Sequence, residues 1–326
     1  MSAYYFFSLS RKTKILISPL FILFMAFTNL CCEQPNTAAM AIAGPVLPIT
    51  FVDIAGPRPT IEYLINNKKA TSMIHSNANL YLHLNYENLK YFDIEELTEV
   101  GVYGISEPGK PNTSYKAQVK ELKFKDLVLN NKEVSIFETY PPDNEGFGML
   151  GRQWIRENRI IIDYDKNQVT IQPSKDQSEF IAKQLFKNNY ISVPMELNEI
   201  DNSYYAEVII NDKKSKFFVS TVSRLIIDSE YAKAANIGIG EMAGTFGGPG
   251  GRTGYLYYSK GTFALKIGEF EAATNGVIED TYAYSNRQRP SDPTEQTGGT
   301  LGAAFLMEHK AIVDFGNLVL YLKKGE

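Results

Sequence analysis

Cysteine is nearly absent from this chain of 326 residues: Cys31 and Cys32 stand side by side and none follows. Everything beyond them folds without a disulfide, so its stability rests on an apolar core. Histidine is scarce as well, with only His75, His83 and His309. Three scattered imidazoles and no later thiolate support no metal cluster, and neither a metal nor another cofactor is expected. Positive charge is not in excess either, the formal net charge being −4 and the isoelectric point about 5.6. Phosphate binding wants a basic stripe, so the composition gives no case for nucleic acid as a partner.

What is present is apolar and aromatic. An apolar content of 44% over this length is ample for a large core, in two domains or one bilobed unit. The 20 Tyr and 19 Phe sit with Val and Ile in short alternating runs, broken by Gly, Asn and Pro, which predicts a mostly β protein. At the N-terminus Arg11, Lys12 and Lys14 precede an apolar stretch, residues 15–30. It is longer than an ordinary signal core and slightly short for a membrane span, so residues 1–32 are expected to be a signal or membrane anchor of an exported or envelope protein. Lipid attachment to the cysteines is half supported: Leu30 before Cys31 is not the small residue such a signal wants, and Cys31 before Cys32 is closer. Lipidation and simple anchoring both stay open. Residues 33–57, with Pro35, Pro45, Pro48 and Pro57 and little charge, are expected to be a tether.

The remainder says the same thing twice. Ile65-Asn66-Asn67-Lys68-Lys69 leads into Met73-Ile74-His75-Ser76-Asn77-Ala78, and 145 positions on Ile210-Asn211-Asp212-Lys213-Lys214 leads into Phe218-Val219-Ser220-Thr221-Val222-Ser223. Each copy closes alike. Gly148-Met149-Leu150-Gly151, a helical stretch through Trp154, and Ile161-Ile162-Asp163-Tyr164 are answered by Gly299-Thr300-Leu301-Gly302, Phe305-Leu306 and Ile312-Val313-Asp314-Phe315. The expected units are a first lobe over 58–173, a connection over 174–189 with a short amphipathic helix carrying Phe180, Ile181, Leu185 and Phe186, and a second lobe over 190–326.

In order, spacing and repetition these motifs resemble the aspartic peptidases, and among them the two-lobed, retropepsin-like bacterial members. The resemblance covers residues 58–326. It implies an all-β fold with short helices, two similar barrel-like lobes around a cleft, and a flap hairpin over the cleft from residues 101–115. Gly244 to Arg252, seven residues in nine being Gly, Pro or Thr, stands at the matching place in the second lobe.

The departure from that family is specific. Where the family carries Asp-Thr-Gly-Ala and Asp-Thr-Gly-Ser, this chain has His75-Ser76-Asn77-Ala78 and Ser220-Thr221-Val222-Ser223. The family's two carboxylates share one proton because like charges so close cannot both ionise, and they divide acid and base roles on a water. Ser220 can neither carry charge near neutrality nor donate as a carboxylic acid does. His75 and Ser220 are therefore vestigial dyad positions. The missing turn glycines, replaced by Asn77 and the β-branched Val222, predict remodelled turns. A Ser220–His75 nucleophilic pair lacks a visible orienting group and oxyanion hole, and Asp163 and Asp314 read as structural turn residues. The expected function is binding of an extended polypeptide without cleavage, through Ser76, Asn77, Tyr103, Gly104, Thr221, Val222, Gly247 and Gly248, the flaps adding main-chain hydrogen bonds. An active endopeptidase with displaced carboxylates and a structural envelope subunit are the alternatives.

Overall fold

The computed structural model describes residues 44–54, 56–102, 113–137, 148–200, 202–247, 253–285, 288–292 and 295–325. Residues 41–326 form one compact unit. In chain order the first half holds β1 (Val46–Pro48), β2 (Thr50–Asp53), β3 (Pro57–Ile65), β4 (Lys68–Ile74), β5 (Leu82–Asn85), β6 (Thr98–Val102), β7 (Thr113–Phe124), β8 (Leu127–Phe137), β9 (Gly148–Leu150), α1 (Arg152–Glu157), β10 (Ile161–Asp163) and β11 (Gln168–Thr170). A connecting helix, α2 (Lys175–Lys187), follows. The second half holds β12 (Tyr190–Pro194), β13 (Glu196–Asn198), β14 (Ser203–Ile210), β15 (Lys213–Val219), β16 (Ile226–Asp228), α3 (Ser229–Ala234), β17 (Ile239–Gly247), β18 (Thr253–Ser259), β19 (Phe263–Ile267), β20 (Phe270–Thr274), β21 (Val277–Glu279), α4 (Thr281–Ser285), β22 (Thr297–Leu301), α5 (Ala303–Glu308), β23 (Ile312–Asp314) and β24 (Val319–Lys323). Among the described residues no helix is long and apolar enough to cross a membrane.

The two lobes are built by the same pairings. In the first, β3 and β4 form a hairpin, β4 runs parallel to β9, β9 is antiparallel to β5, β5 is parallel to β8, and β8–β7–β6 continue outward. In the second, β14 and β15 form the hairpin, β15 runs parallel to β22, β22 is antiparallel to β16, β16 is parallel to β21, and β21–β18–β17 continue. The single long β7 of the first lobe is divided into β18 and β19 in the second, and both β7 and β19 pair back to the hairpin's first strand.

The repeated Asn motif has a local cause. Asn66-Asn67 and Asn211-Asp212 each place two consecutive residues at positive φ (47° and 65°; 46° and 64°), the backbone of a tight hairpin turn that only Gly, Asn and Asp adopt cheaply. The first Asn of each pair also works as a brace. Asn66 Nδ2 donates to Phe92 O at 2.8 Å and its Oδ1 accepts from Glu121 N at 3.1 Å, while Asn211 Nδ2 donates to Ala235 O at 2.9 Å and its Oδ1 accepts from Ala264 N at 3.3 Å.

A third sheet, in the order β1-β11-β10-β23-β24-β12, is shared by the lobes. At its centre β10 and β23 pair antiparallel, with Ile162 opposite Val313. One apolar core includes residues of both lobes, among them Trp154, Phe124, Tyr204, Phe217 and Phe305.

Two sequence expectations need correction here. The tether over 33–57 does not hold for its C-terminal part: β1 is an edge of the shared sheet against β11, and β2 pairs with β3. The second lobe has the same opening, β12 on β24 and β13 on β14, so each repeat begins well before the Ile-Asn motif that first betrays it, at Val46 ahead of Ile65 and at Tyr190 ahead of Ile210. Leu47-Pro48-Ile49 matches Val193-Pro194-Met195, and Ile49 N and Met195 N donate to Asn167 O and Leu318 O in corresponding turns. The connection is helical as expected, with Ser174 capping it by accepting from Gln177 N. Its apolar face is narrower than expected, however: Leu185 is buried and Ile181 packs beside it, whereas Phe180 and Phe186 are 62% and 61% exposed.

Candidate functional site

The turns after β4 and β15 meet between the lobes in a crossed arrangement. Ser76 N donates to Thr221 Oγ1 at 2.9 Å, and Thr221 N donates to Ser76 Oγ at 2.9 Å. The hydroxyl protons go onward to the facing strands, Thr221 Oγ1 to Ile74 O at 2.6 Å and Ser76 Oγ to Val219 O at 3.3 Å. Each turn is also tied to its own lobe, with His75 N donating to Leu150 O at 2.8 Å and Ser220 N to Leu301 O at 2.9 Å.

Glycine is required just beyond those carbonyls. A Cβ on Gly151 would lie 2.3 Å from Leu80 O, and one on Gly302 would lie 2.1 Å from Arg224 O, so no other residue lets the following helix come so close to the turn. This is the physical content of the repeated Leu-Gly. In the second turn the left-handed backbone falls on Ser223 (φ 75°), and neither Asn77 nor Val222 has a positive φ. The turns thus accommodate a β-branched residue by moving the strained position one place along.

The residues just before Ser76 and Thr221, where the family resemblance leads one to expect a dyad, are His75 and Ser220. No hydrogen bond joins them. Ser220 is fully buried; its hydroxyl lies 2.7 Å from Asn77 Oδ1 and 2.9 Å from Val222 O as acceptors, and it accepts from Val222 N at 3.2 Å. Asn77 therefore reaches from one lobe to cover the serine of the other. His75 Nδ1 accepts from Asn77 N at 3.3 Å, which places the ring proton on Nε2. Burial above all, then the positive charges of Arg58 and Arg152, pull the His75 pKa down to about 3, so the imidazole is neutral over the physiological range.

Those arginines escape a reading of the sequence, although Arg152 gives a signal: it directly follows Gly151, where the second copy has Ala303. Arg58 Nε donates to Ile54 O at 2.8 Å and its Nη1 approaches Met73 Sδ at 3.7 Å. Arg152 is buried, donates through Nη1 to Ser203 Oγ across the lobe boundary, and lies 6.0 Å from the Phe218 ring. Among the described residues the charged groups acting on His75 are these cations and, more weakly, His83, and no carboxylate is among them.

Carboxylates with disturbed protonation lie elsewhere. Asp163 and Asp314 have raised pKa values through burial, and each accepts from the backbone N–H three residues on, Lys166 at 2.9 Å and Asn317 at 2.9 Å. Asp228 and Glu279 are register partners on β16 and β21. Burial, and then the neighbouring Asp228, push Glu279 up to about 7. Asp228 caps α3 and is paired with Arg289 at 2.7 and 3.0 Å. The Arg289 guanidinium also lies 4.3 Å from the Tyr282 ring.

Of the residues expected to touch a ligand, Ser76, Thr221 and Val222 are buried. Asn77 is exposed and His75 half-buried, so these two face outward. Gly247 ends β17 opposite Thr253 in the second hairpin. Tyr103, Gly104 and Gly248 lie outside the described residues. A recess of about 510 Å³ lined by Glu196, Tyr205, Lys216, Glu295 and Thr297 involves neither turn.

Two lobes of one connectivity, a shared sheet and a crossed pair of turns define an aspartic-peptidase-like architecture. No family model and no curated protein matches the chain. Solved structures similar to it include conglutin gamma, a basic 7S globulin from lupine seeds, with 9% identity over 86% of this chain and 95% of that one at a TM-score of 0.47. Basic 7S globulin from soybean has 10% identity over 86% and 95% at 0.45. A retropepsin-like aspartic protease from Rickettsia conorii has 16% identity over 39% of this chain and 93% of that one at 0.29.

Proposed function

We propose that the protein holds an extended polypeptide between its lobes and does not cut it. The observation that carries this reading is the state of the floor: the hydroxyl crossing that fixes the two turns is intact, while the dyad positions hold a neutral imidazole and a serine sealed under Asn77. Neither group can share a proton with the other as two carboxyls do, so no acid–base pair faces a scissile bond. The β6–β7 and β17–β18 hairpins supply exposed strand edges for main-chain pairing with a ligand. An envelope location, through the N-terminal segment or lipid on Cys32, belongs to the same proposal.

The test is incubation of the purified protein with a diverse peptide library at acid and neutral pH, scoring retention and cleavage separately. Retention without cleavage is the expected result. Cleavage with an acid optimum, blocked by a pepstatin-type inhibitor, would overturn the reading, and failure to retain any peptide would transfer support to a structural envelope role. A serine-directed phosphonate is expected to leave Ser220 unlabelled.

A further inference from the structure

The likeness of the two halves reaches further than the motifs around the turns. In β6, Gly101 has φ 112° and stands opposite Ser114; in β17, Gly244 has φ 145° and stands opposite Leu256, each just after a register shift in its hairpin. A Cβ at either would meet nothing within 4 Å, so what glycine supplies there is the left-handed backbone of a bulge. Counted from these glycines, Glu99 opposite Tyr115 in the first hairpin answers Met242 opposite Tyr257 in the second.

Register also fixes which way these side chains look. Tyr115 is opposite Ile136, which is opposite Leu84; Tyr257 is opposite Ile278, which is opposite Ile227. Residues directly opposite share a face of a sheet, and these four aliphatic residues belong to the core. Glu99 and Tyr115, like Met242, Tyr257 and, two positions along, Tyr255, therefore lie on faces that begin as inner walls of the lobes and run past the core on the hairpins. There the two hairpins differ. Tyr115 packs on the core and lies 5.8 Å from the Tyr86 ring, which leaves Glu99 as the exposed group beside it. Glu95 and Glu96, exposed ahead of β6, add charge of the same sign, while Lys116 faces the other way and is held by Glu133 at 2.6 Å. The second hairpin instead uncovers Met242, Tyr255 and Tyr257, which are 57%, 59% and 38% exposed. Glu241 falls within a bulge of β17, off this register.

We propose that the polypeptide held between the lobes is one whose two ends differ in chemistry: a basic side chain lies under β6–β7, read by Glu99, and an aromatic or aliphatic one lies under β17–β18, packed by Met242, Tyr255 and Tyr257. A carboxylate facing a cation fixes register and orientation, and thioether and ring surface takes an apolar side chain out of water. The inference rests on the peptide-holding function proposed above and adds to it a ligand class and a direction of binding.

The test measures binding of two fluorescein-labelled peptides of identical composition to the full chain in detergent micelles. Both are built of alternating Thr and Ser; one carries a pair of Phe in its N-terminal half and a pair of Lys in its C-terminal half, and the other carries them exchanged. The parent should bind one order about tenfold more tightly than the other, the scale of one buried ring or one close ion pair. Glu99→Met combined with Met242→Glu should erase that preference, and Glu99→Gln should remove the part of it that fades with added salt. Equal affinity of the parent for both orders, or a preference that survives the exchange, would overturn the proposal and leave peptide holding intact. So would failure of both peptides where a diverse library yields retained ones; if the library yields none, both readings fall. A concentration-dependent dimer abolished by Met242→Glu would mark a second copy of the chain as the occupant and overturn the proposal as well. Positions 99 and 242 are exposed, so unchanged melting temperatures verify that the variants fold.

Discussion

At the scale of single residues, Thr221 serves both lobes: its hydroxyl accepts from Ser76 N and donates to Ile74 O. Thr221→Ala leaves a buried donor and a buried acceptor unpaired and should cost about 1–3 kcal/mol, read as a lower urea midpoint, whereas Thr221→Ser keeps both bonds and most of the stability. Protonation gives a second, signed prediction. Glu279 titrates near 7 when folded against an ordinary value of 4.5. Below 4.5 it is neutral in both states; between 4.5 and 7 the unfolded chain releases the proton first, so this group's contribution is lost as pH rises through that window. Glu279→Gln should be more stable than the parent at pH 8, by about 2–3 kcal/mol, and equal to it at pH 4, in thermal melts at both values. His75 and His83 act oppositely, since their folded values near 3 and 4 lie below the ordinary 6.5 and their contribution is lost as pH falls through that range. The two matching turns were legible from the sequence because two copies could be laid side by side. The cover that Asn77 places on Ser220 was not, since it joins residues 143 positions apart through a contact only the folded lobes create.

At the scale of elements, the hairpins and the helices after Gly151 and Gly302 were readable because each rests on a backbone demand that few residues meet: left-handed Asn and Asp, or a glycine with no space for a Cβ. The strands at the start of the first lobe were not, because β1 is three residues long, ends in proline and has only one strand neighbour, so it shows neither period nor length. Its weight lies in burial: Leu47 and Ile49 are 6% and 5% exposed. A chain beginning at residue 54 should lose about 1.5–3 kcal/mol for each of these side chains relative to one beginning at residue 44. Equal unfolding midpoints for the two truncations would return the segment to the status of a tether.

At the scale of the whole molecule, the joins between the lobes among the described residues include the pairing of β10 with β23, the crossed hydroxyls, and α1 of the first lobe, whose Arg156 bonds to Asn202 at 2.5 Å and pairs with Glu199. The covalent link through α2 is a further and dispensable one. Proteolytic nicking in the exposed Asn188-Asn189 pair should leave a single species in gel filtration that separates into two fragments only in denaturant, because three strands of each half are joined edge to edge in one sheet through β10 and β23. The same construction governs how the cleft can breathe. With β10 and β23 hydrogen-bonded between the halves, an opening of the lobes would be taken up as torsion distributed over the six strands of the shared sheet. A ligand would then be admitted by the hairpins lifting one at a time, and the distance between the two halves would stay nearly constant whether the protein is loaded or empty.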